Sequence, residues 1–385
     1  MTVLSVYARR IVNGLSGRPL SAVLSIFFPL FLLYAAEDKP AWQAEWENTV
    51  HAAKREGQLT LYVYRYGAVV DAFRAEYPEI KVNVVGATGS QLGTRIVAER
   101  RGGKYLADLF SSGANTNFNV LYKTRALAPI KPLLLIPEVL DESKWFGGKH
   151  RYIDPEAKYI FAYIGNSTGG GQLSYNTGLA EPSEFKSFWD LVQPKWKGKI
   201  VSLEPANTGL GASMQFFYYN PELGPEWIKR FFGSMEITFS REFRQMTDWL
   251  AQGRFALCMG CKDVDRARQQ GLPVVSLDDI PWKEGRSFSS GGCTLSLLNQ
   301  APHPNAARLF VNWYLSRKGQ MALQNMDDPF GSDYRNSLRI DIPKDNIPPA
   351  HRLAEGVKYF DVTRPEFSDM APIFKLAKEI MKGKE

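Results

Sequence analysis

Cys258-Met-Gly-Cys261 has the spacing of a redox pair or of half a metal site. A metal site would add a second cysteine pair or nearby histidines. His51, His150, His303 and His351 are widely spaced, and the third cysteine is Cys293. The bland readings are one structural disulfide or buried small apolar side chains. The reactive alternative is a thiol nucleophile, Cys261, with Glu204 or Asp263 as acidic partner. No histidine stands near either acid in sequence and no general acid–base pair accompanies them, so an enzyme is not expected. What recurs is a set of short donor-rich turns: Tyr64-Arg65-Tyr66, Thr88-Gly89-Ser90, Ser111-Ser112-Gly113, Asn207-Thr208-Gly209 and the turn from Met259 to Lys262. Ser, Thr, Asn and Gly are also ordinary helix caps. Five such turns in succession suit the binding of a small molecule, with no metal and no cofactor expected.

Arg65 gives that binding a sign. Its guanidinium is a rigid fork of donors matched to carboxylate and phosphate oxygens. Thr88, Ser90, Ser112 and Thr208 would add hydroxyl and N–H donors where helices begin, which also favours negative charge. Glu204 is the only carboxylate in these turns. An anionic ligand is therefore expected. The competing reading pairs Arg65 with a surface acid of the next helix, Asp71 or Glu76.

The elements that must position these turns alternate. A β-rich run at residues 58–64 precedes a helical stretch at 68–77, ended by Pro78. Strands at 80–85 and 105–111 are each followed by a glycine- or serine-bearing turn and a helix, at 91–101 and 116–127. After Gly169-Gly170-Gly171 the pattern restarts. Strands are expected at 172–176, 200–203, 255–259 and 273–277, and helices at 183–192, 210–219, 241–253 and 263–271. A long strand or crossover covers 289–298, one amphipathic helix covers 304–324, and the tail ends in a basic amphipathic helix. Strand–helix alternation at this spacing implies parallel βαβ units with right-handed crossovers. In such sheets ligands sit beyond the carboxyl ends of the strands, where the donor-rich turns fall.

Several segments resemble the periplasmic solute-binding proteins of ABC importers, in the family that includes ferric-iron binders. They are LYVYRYGAVVDAF, TRIVAERRGGKYLADLF, LSYNTGL, FKSFWDLVQPKWKGKIVSLEP, GRFALCMG and ARLFVNWYLSRKGQ, in family order across nearly all of the chain beyond its start. The run from Phe185 to Pro205 is the most specific. The resemblance implies an α/β fold of the type II periplasmic-binding class, with ligand in a cleft between two lobes joined by crossover strands. It places the crossings near residues 169–176 and 291–298. The first lobe would take residues 41–168 and 291–325, and the second 169–290 and 326–385. It also implies a monomer that delivers ligand to a membrane permease. Ferric-binding members carry adjacent tyrosines after the strand that here reads FALCMG, whereas this chain has Cys261-Lys262-Asp263. Tyr218-Tyr219 lies at the end of an earlier helix and reads as packing. Ferric or other metal transport stays an alternative.

Composition fits this picture. A chain of 385 residues suits two domains, and 44% hydrophobic with 23% charged residues is ordinary for a globular protein. Residues 1–36 read as an export signal, placing the protein in the periplasm. Arg9, Arg10 and Arg18 accompany an apolar run from Ser21 to Tyr34, and Ala35-Ala36 precede a polar stretch. That run is short of the ~20 residues a membrane-spanning helix needs. Those arginines supply three of the seven excess positive charges. The remainder is mildly basic and unclustered, so no nucleic acid partner is expected.

Overall fold

The structure is a computed structural model that describes residues 40–65, 67–168, 172–290, 294–326 and 335–383. The expected export signal, Tyr66, residues 169–171 and Cys293 lie outside the described residues. Among those described, no helix is long and apolar enough to cross a membrane.

Strand–helix alternation produces two sheets. In the first, β1 (Gln58–Val63) lies parallel to β2 (Lys81–Gly86) and β3 (Leu109–Ser112). A late strand, β14 (Thr294–Leu298), runs antiparallel between β3 and β6 (Ile160–Ala162). Two-residue strands β4 (Leu127–Ala128) and β5 (Arg151–Tyr152) complete it. In the second, β9 (Ile200–Ser202) is parallel to β10 (Thr238–Phe239) and β11 (Leu257–Met259). There β8 (Leu173–Asn176) is antiparallel to β11 and β12 (Val274–Ser276). All five residues of β14 are buried, as a strand covered on both faces must be.

Each sheet carries its own apolar core. The first gathers Phe73, Phe110, Phe161, Phe310, Trp313 and Tyr314. The second gathers Phe188, Phe216, Phe217, Trp227, Phe231 and Trp282, with Phe188 stacked on Trp282 at 4.2 Å between centroids. The connection between them is a third, small sheet. β7 (Asn166–Thr168) pairs antiparallel with β13 (Arg286–Ser289), which pairs parallel with β15 (Tyr359–Asp361). The paired connectors therefore lie a few residues upstream of the segments expected to cross. The last sixty residues, expected wholly in the second lobe, serve both cores: Leu338 packs in the first, and Val362, Ile373 and Leu376 pack in the second.

Two expected helices are interrupted. Residues 183–192 form two short 3₁₀ turns, Pro182–Glu184 and Phe188–Val192. Ser187 restarts the chain as an N-cap in a capping box with Asp190, and Glu284 accepts the backbone N–H of Phe188. The expected helix 304–324 breaks into Pro304–Leu315 and Arg317–Asn325. Ser316 is extended and its Oγ accepts the Gly319 N–H at 3.1 Å. Gly319 passes so close to the preceding turn that a Cβ there would sit 2.1 Å from the Trp313 carbonyl. A continuous apolar period does not reveal such a cap, because serine is also tolerated inside helices.

Candidate ligand-binding site

The exit of β1 is held between its neighbours: the Tyr64 N–H donates to Ser111 O (2.9 Å) and the Ala87 N–H to Val63 O (3.3 Å). Tyr64 is exposed and the Arg65 guanidinium lies over its ring, 5.1 Å from the centroid. Asp71 and Glu76, the acids considered as partners of Arg65, also meet other groups. Asp71 holds Arg74 at 2.7 Å, and Glu76 holds Lys318 at 2.8 Å and the Trp313 indole at 2.7 Å.

Thr88 caps the helix Gly89–Arg101 in a capping box with Gln91, and Ser90 stands beside it, its hydroxyl 3.3 Å from that of Thr88. The helix start presses on the end of β3. A Cβ on Gly89 would lie 2.3 Å from Ser112 Oγ and 3.1 Å from Thr116 Oγ1, so only glycine fits without displacing the serine. Ser111 and Ser112 then part company. Ser111 Oγ bonds the Tyr163 hydroxyl at 2.9 Å and is structural. Ser112 is 1% exposed, and its Oγ has no hydrogen-bond partner among the described residues. Its carbonyl accepts from Thr294 Oγ1 at 2.7 Å, which fastens β3 to β14. Gly113 opens the next helical turn, with its carbonyl accepting from the Asn117 N–H.

On the second sheet, the turn after β9 is built by Asn207, whose side-chain oxygen accepts the Gly209 N–H at 2.8 Å. Thr208 begins the 3₁₀ turn that follows, Thr208–Leu210. Glu204 is gripped by the fork of Arg241, with Nε at 3.2 Å and Nη2 at 3.1 Å. The carboxylate within these turns is thereby matched by a cation. The expected positions thus fall on two groups of strand ends, one per sheet: Tyr64, Arg65, Thr88, Gly89, Ser90, Ser111, Ser112 and Gly113 on the first, and Asn207, Thr208 and Gly209 on the second.

Three further residues belong with them. Ser167 Oγ, Ser290 Oγ and Gln172 Oε1 are buried and unpartnered among the described residues. Ser167 lies in β7 opposite Phe288, Ser290 directly follows β13, and Gln172 directly precedes β8. Gln172 adopts a left-handed φ of 55°, rare for a side chain of this type, and its carbonyl accepts the Gly260 N–H at 3.0 Å. Ser112 Oγ, at the end of β3, is a fourth such atom; the indole N–H groups of Trp145, Trp196 and Trp282 and the Tyr152 hydroxyl are also buried without partners among the described residues. Buried polar groups in folded proteins are paired in the large majority of cases. The available signal in sequence was the serine beside each glycine run, Ser167-Thr168-Gly169 and Ser290-Gly291-Gly292.

Cys258 and Cys261 are joined in a disulfide, Cα–Cα 5.9 Å, and both are buried. Cys261 therefore offers no thiolate to Glu204 or Asp263. Asp263 instead stands in a left-handed conformation at the head of the helix Val264–Gln269. Tyr219 of the Tyr218-Tyr219 pair donates its hydroxyl to Asp369 O at 2.6 Å and packs on Phe367. Among the described residues, no three His, Cys, Asp or Glu side chains are grouped to hold a metal ion.

Residues 63–321 match the family of bacterial extracellular solute-binding proteins. The chain belongs to that family. No curated protein matches it. Its fold is that of the type II periplasmic binding proteins, as in the Trichodesmium protein (IdiA, FutA) in complex with iron and citrate. That structure has 19% identity and a TM-score of 0.57, with 85% of this chain and 98% of the other covered. Iron-bound HitA from Pseudomonas aeruginosa is similar at 18% identity and TM-score 0.53, over 84% and 99%. AfuA from Actinobacillus pleuropneumoniae, with fructose-6-phosphate bound, is similar at 17% identity and TM-score 0.53, over 85% and 98%. These likenesses establish the two-lobed architecture of this solute-binding protein.

Proposed function

We propose that this solute-binding protein captures a small anion between its two lobes, in the periplasm, and delivers it as a monomer to the permease of an ABC importer. It performs no chemistry on what it carries. The observation that carries the reading is the set of buried polar atoms at Ser112, Ser167, Gln172 and Ser290 that have no hydrogen-bond partner among the described residues. The sign of the ligand is supported by Arg65 at the exit of β1, by helix starts at Thr88 and Gly113, and by the neutralisation of Glu204 by Arg241. Citrate and a sugar phosphate, ligands in two of the similar structures, are anions of this kind.

Thermal-shift screening with citrate, phosphate, sugar phosphates and neutral sugars identifies the ligand, since binding to the folded state alone raises the melting temperature. Calorimetry on Arg65→Ala then tests the charge. Loss of a guanidinium from a desolvated anion site weakens binding by about 2–5 kcal/mol. An affinity unchanged within about twofold, or a cationic ligand, removes the anion from this reading. Iron in two similar structures favours a second reading, ferric carriage. Metal analysis of protein purified from the periplasm decides between them, and mass spectrometry of the same fraction locates the cleavage expected near Ala36.

A further inference from the structure

The chain links its two cores three times. The first two links are β7 and β13, and the third is the C-terminal segment. Its early part is fixed to the first core by Leu338 and by backbone bridges from Ser337 to Ile164 and from Arg339 to Trp145. It then adds β15 to the connecting sheet and continues into the second core through Val362. Gln215 Nε2 donates to Phe367 O at 2.8 Å on that side. This segment is therefore anchored on both sides of the connection.

One side chain of the first sheet reaches this connection. Arg151 lies in β5, at the edge of the first sheet. It forms an ion pair with Asp361, at the end of β15, with the two side chains 23% and 17% exposed. It also lays its guanidinium over Phe288 of β13, 4.3 Å from the ring centroid. Asp361 is oriented for this contact, because its other oxygen accepts the Thr363 N–H at 3.0 Å. The nearby Arg364 is engaged with Glu366. Arg151 thus grips two of the three connecting strands from outside them.

We infer that the Arg151–Asp361 pair is a latch that restrains the swing of the lobes. Hinge motion needs φ and ψ changes at only a few residues. Any swing that draws β5 away from β15 must separate a partly desolvated charge pair, so the pair deepens one arrangement at the expense of the others. The inference rests on the two-lobed binder reading given above.

Spin labels at Leu106→Cys and Leu272→Cys, exposed positions next to β3 and β12, report the distance between lobes by pulsed electron resonance in a Cys293→Ser background. The wild-type pair should give one narrow distance in ligand-free protein. Arg151→Gln and Asp361→Asn should each add a second population of roughly a tenth of molecules or more, while Arg151→Lys keeps the charge and the single distance. Asp361→Asn retains the Thr363 contact, so it carries the test if Arg151→Gln folds poorly. Distances identical to wild type in folded Asp361→Asn protein overturn the latch. Failure of the binder reading shows separately, as absence of any thermal shift on the wild-type protein across the citrate, phosphate, sugar-phosphate and neutral-sugar screen.

Discussion

Replacing Ser112 by alanine separates a hydroxyl kept for ligand from one kept for folding. Its Oγ is buried without a partner, and leaving such a group unpaired costs about 1–3 kcal/mol. Alanine removes that penalty and gives up the contacts of one atom, at about 0.1–0.2 kcal/mol each. The backbone bond from Thr294 Oγ1 to the Ser112 carbonyl does not involve the side chain and survives. Ligand-free Ser112→Ala should therefore be as stable as wild type, or more stable by about 1 kcal/mol. Binding should move the other way. A hydrogen bond to a charged ligand is worth about 1.5–3 kcal/mol, so affinity should fall about 10- to 100-fold. Ser111→Ala is the control one residue away. It breaks the 2.9 Å bond to Tyr163 and leaves that hydroxyl buried, and so should destabilise the free protein by about 1–3 kcal/mol. Denaturant unfolding without ligand, paired with calorimetry against the screened ligand, measures both. If Ser112→Ala loses more than about 1 kcal/mol of stability in the free protein, the hydroxyl has a structural partner and the reasoning fails.

Gly89→Ala should cost about 1–3 kcal/mol, because its Cβ meets Ser112 Oγ at 2.3 Å. The cost should shrink in a Ser112→Ala background, where the remaining neighbours are 3.1 and 3.6 Å away, and strict additivity in denaturant unfolding would refute the contact. Burial pushes the Lys344 ammonium down to about 7, with Nζ donating to Ser337 O at 2.6 Å and Gln324 Oε1 at 3.0 Å. The unfolded chain then binds more protons than the native one above that pH, so stability should rise from about pH 7 toward the ordinary lysine value of 10.5. Lys344→Met should flatten that part of a stability–pH curve. Replacing both Cys258 and Cys261 by serine should lower stability by about 2 kcal/mol, the loop-closure value for so short a loop, and thiol titration of the native protein should detect neither cysteine.

The parallel strands were legible because local sequence carries their cause. Runs such as Gln58–Val63 are β-rich and bounded by turn residues, and the donor-rich turns follow directly. Other features depend on residues far apart in the chain. Glu284 meets Ser187 and Phe188 only after folding, so nothing local to residues 183–192 announces the broken helix. Whether a serine is structural or available is likewise a tertiary fact. Ser111 and Ser112 are adjacent and chemically identical, yet only one meets a tyrosine. Ser167, Gln172 and Ser290 were passed over for the same reason, since burial without a partner is a property of the assembled connection. The disulfide was among the readings that the cysteine spacing left open, and folding chose it by bringing Cys258 and Cys261 together at the end of β11.

The position of β14 has a consequence for how this molecule assembles. Residues 294–298 form an inner strand of the first sheet, yet the whole second sheet is encoded before them. As the chain is extended from its N-terminus, β1, β2 and β3 arrive first but lack their inner partner. β8 through β12 arrive next as an uninterrupted stretch and can pair into their own sheet, whose core still awaits Val362, Ile373 and Leu376. The first-made part is thus completed late, by contacts of long sequence separation, which is the slow and aggregation-exposed kind. A truncated chain ending before Thr294 should leave the edge of β3 unpaired and its apolar face open, and its second core without Val362, Ile373 and Leu376, making it a substrate for chaperones and proteases.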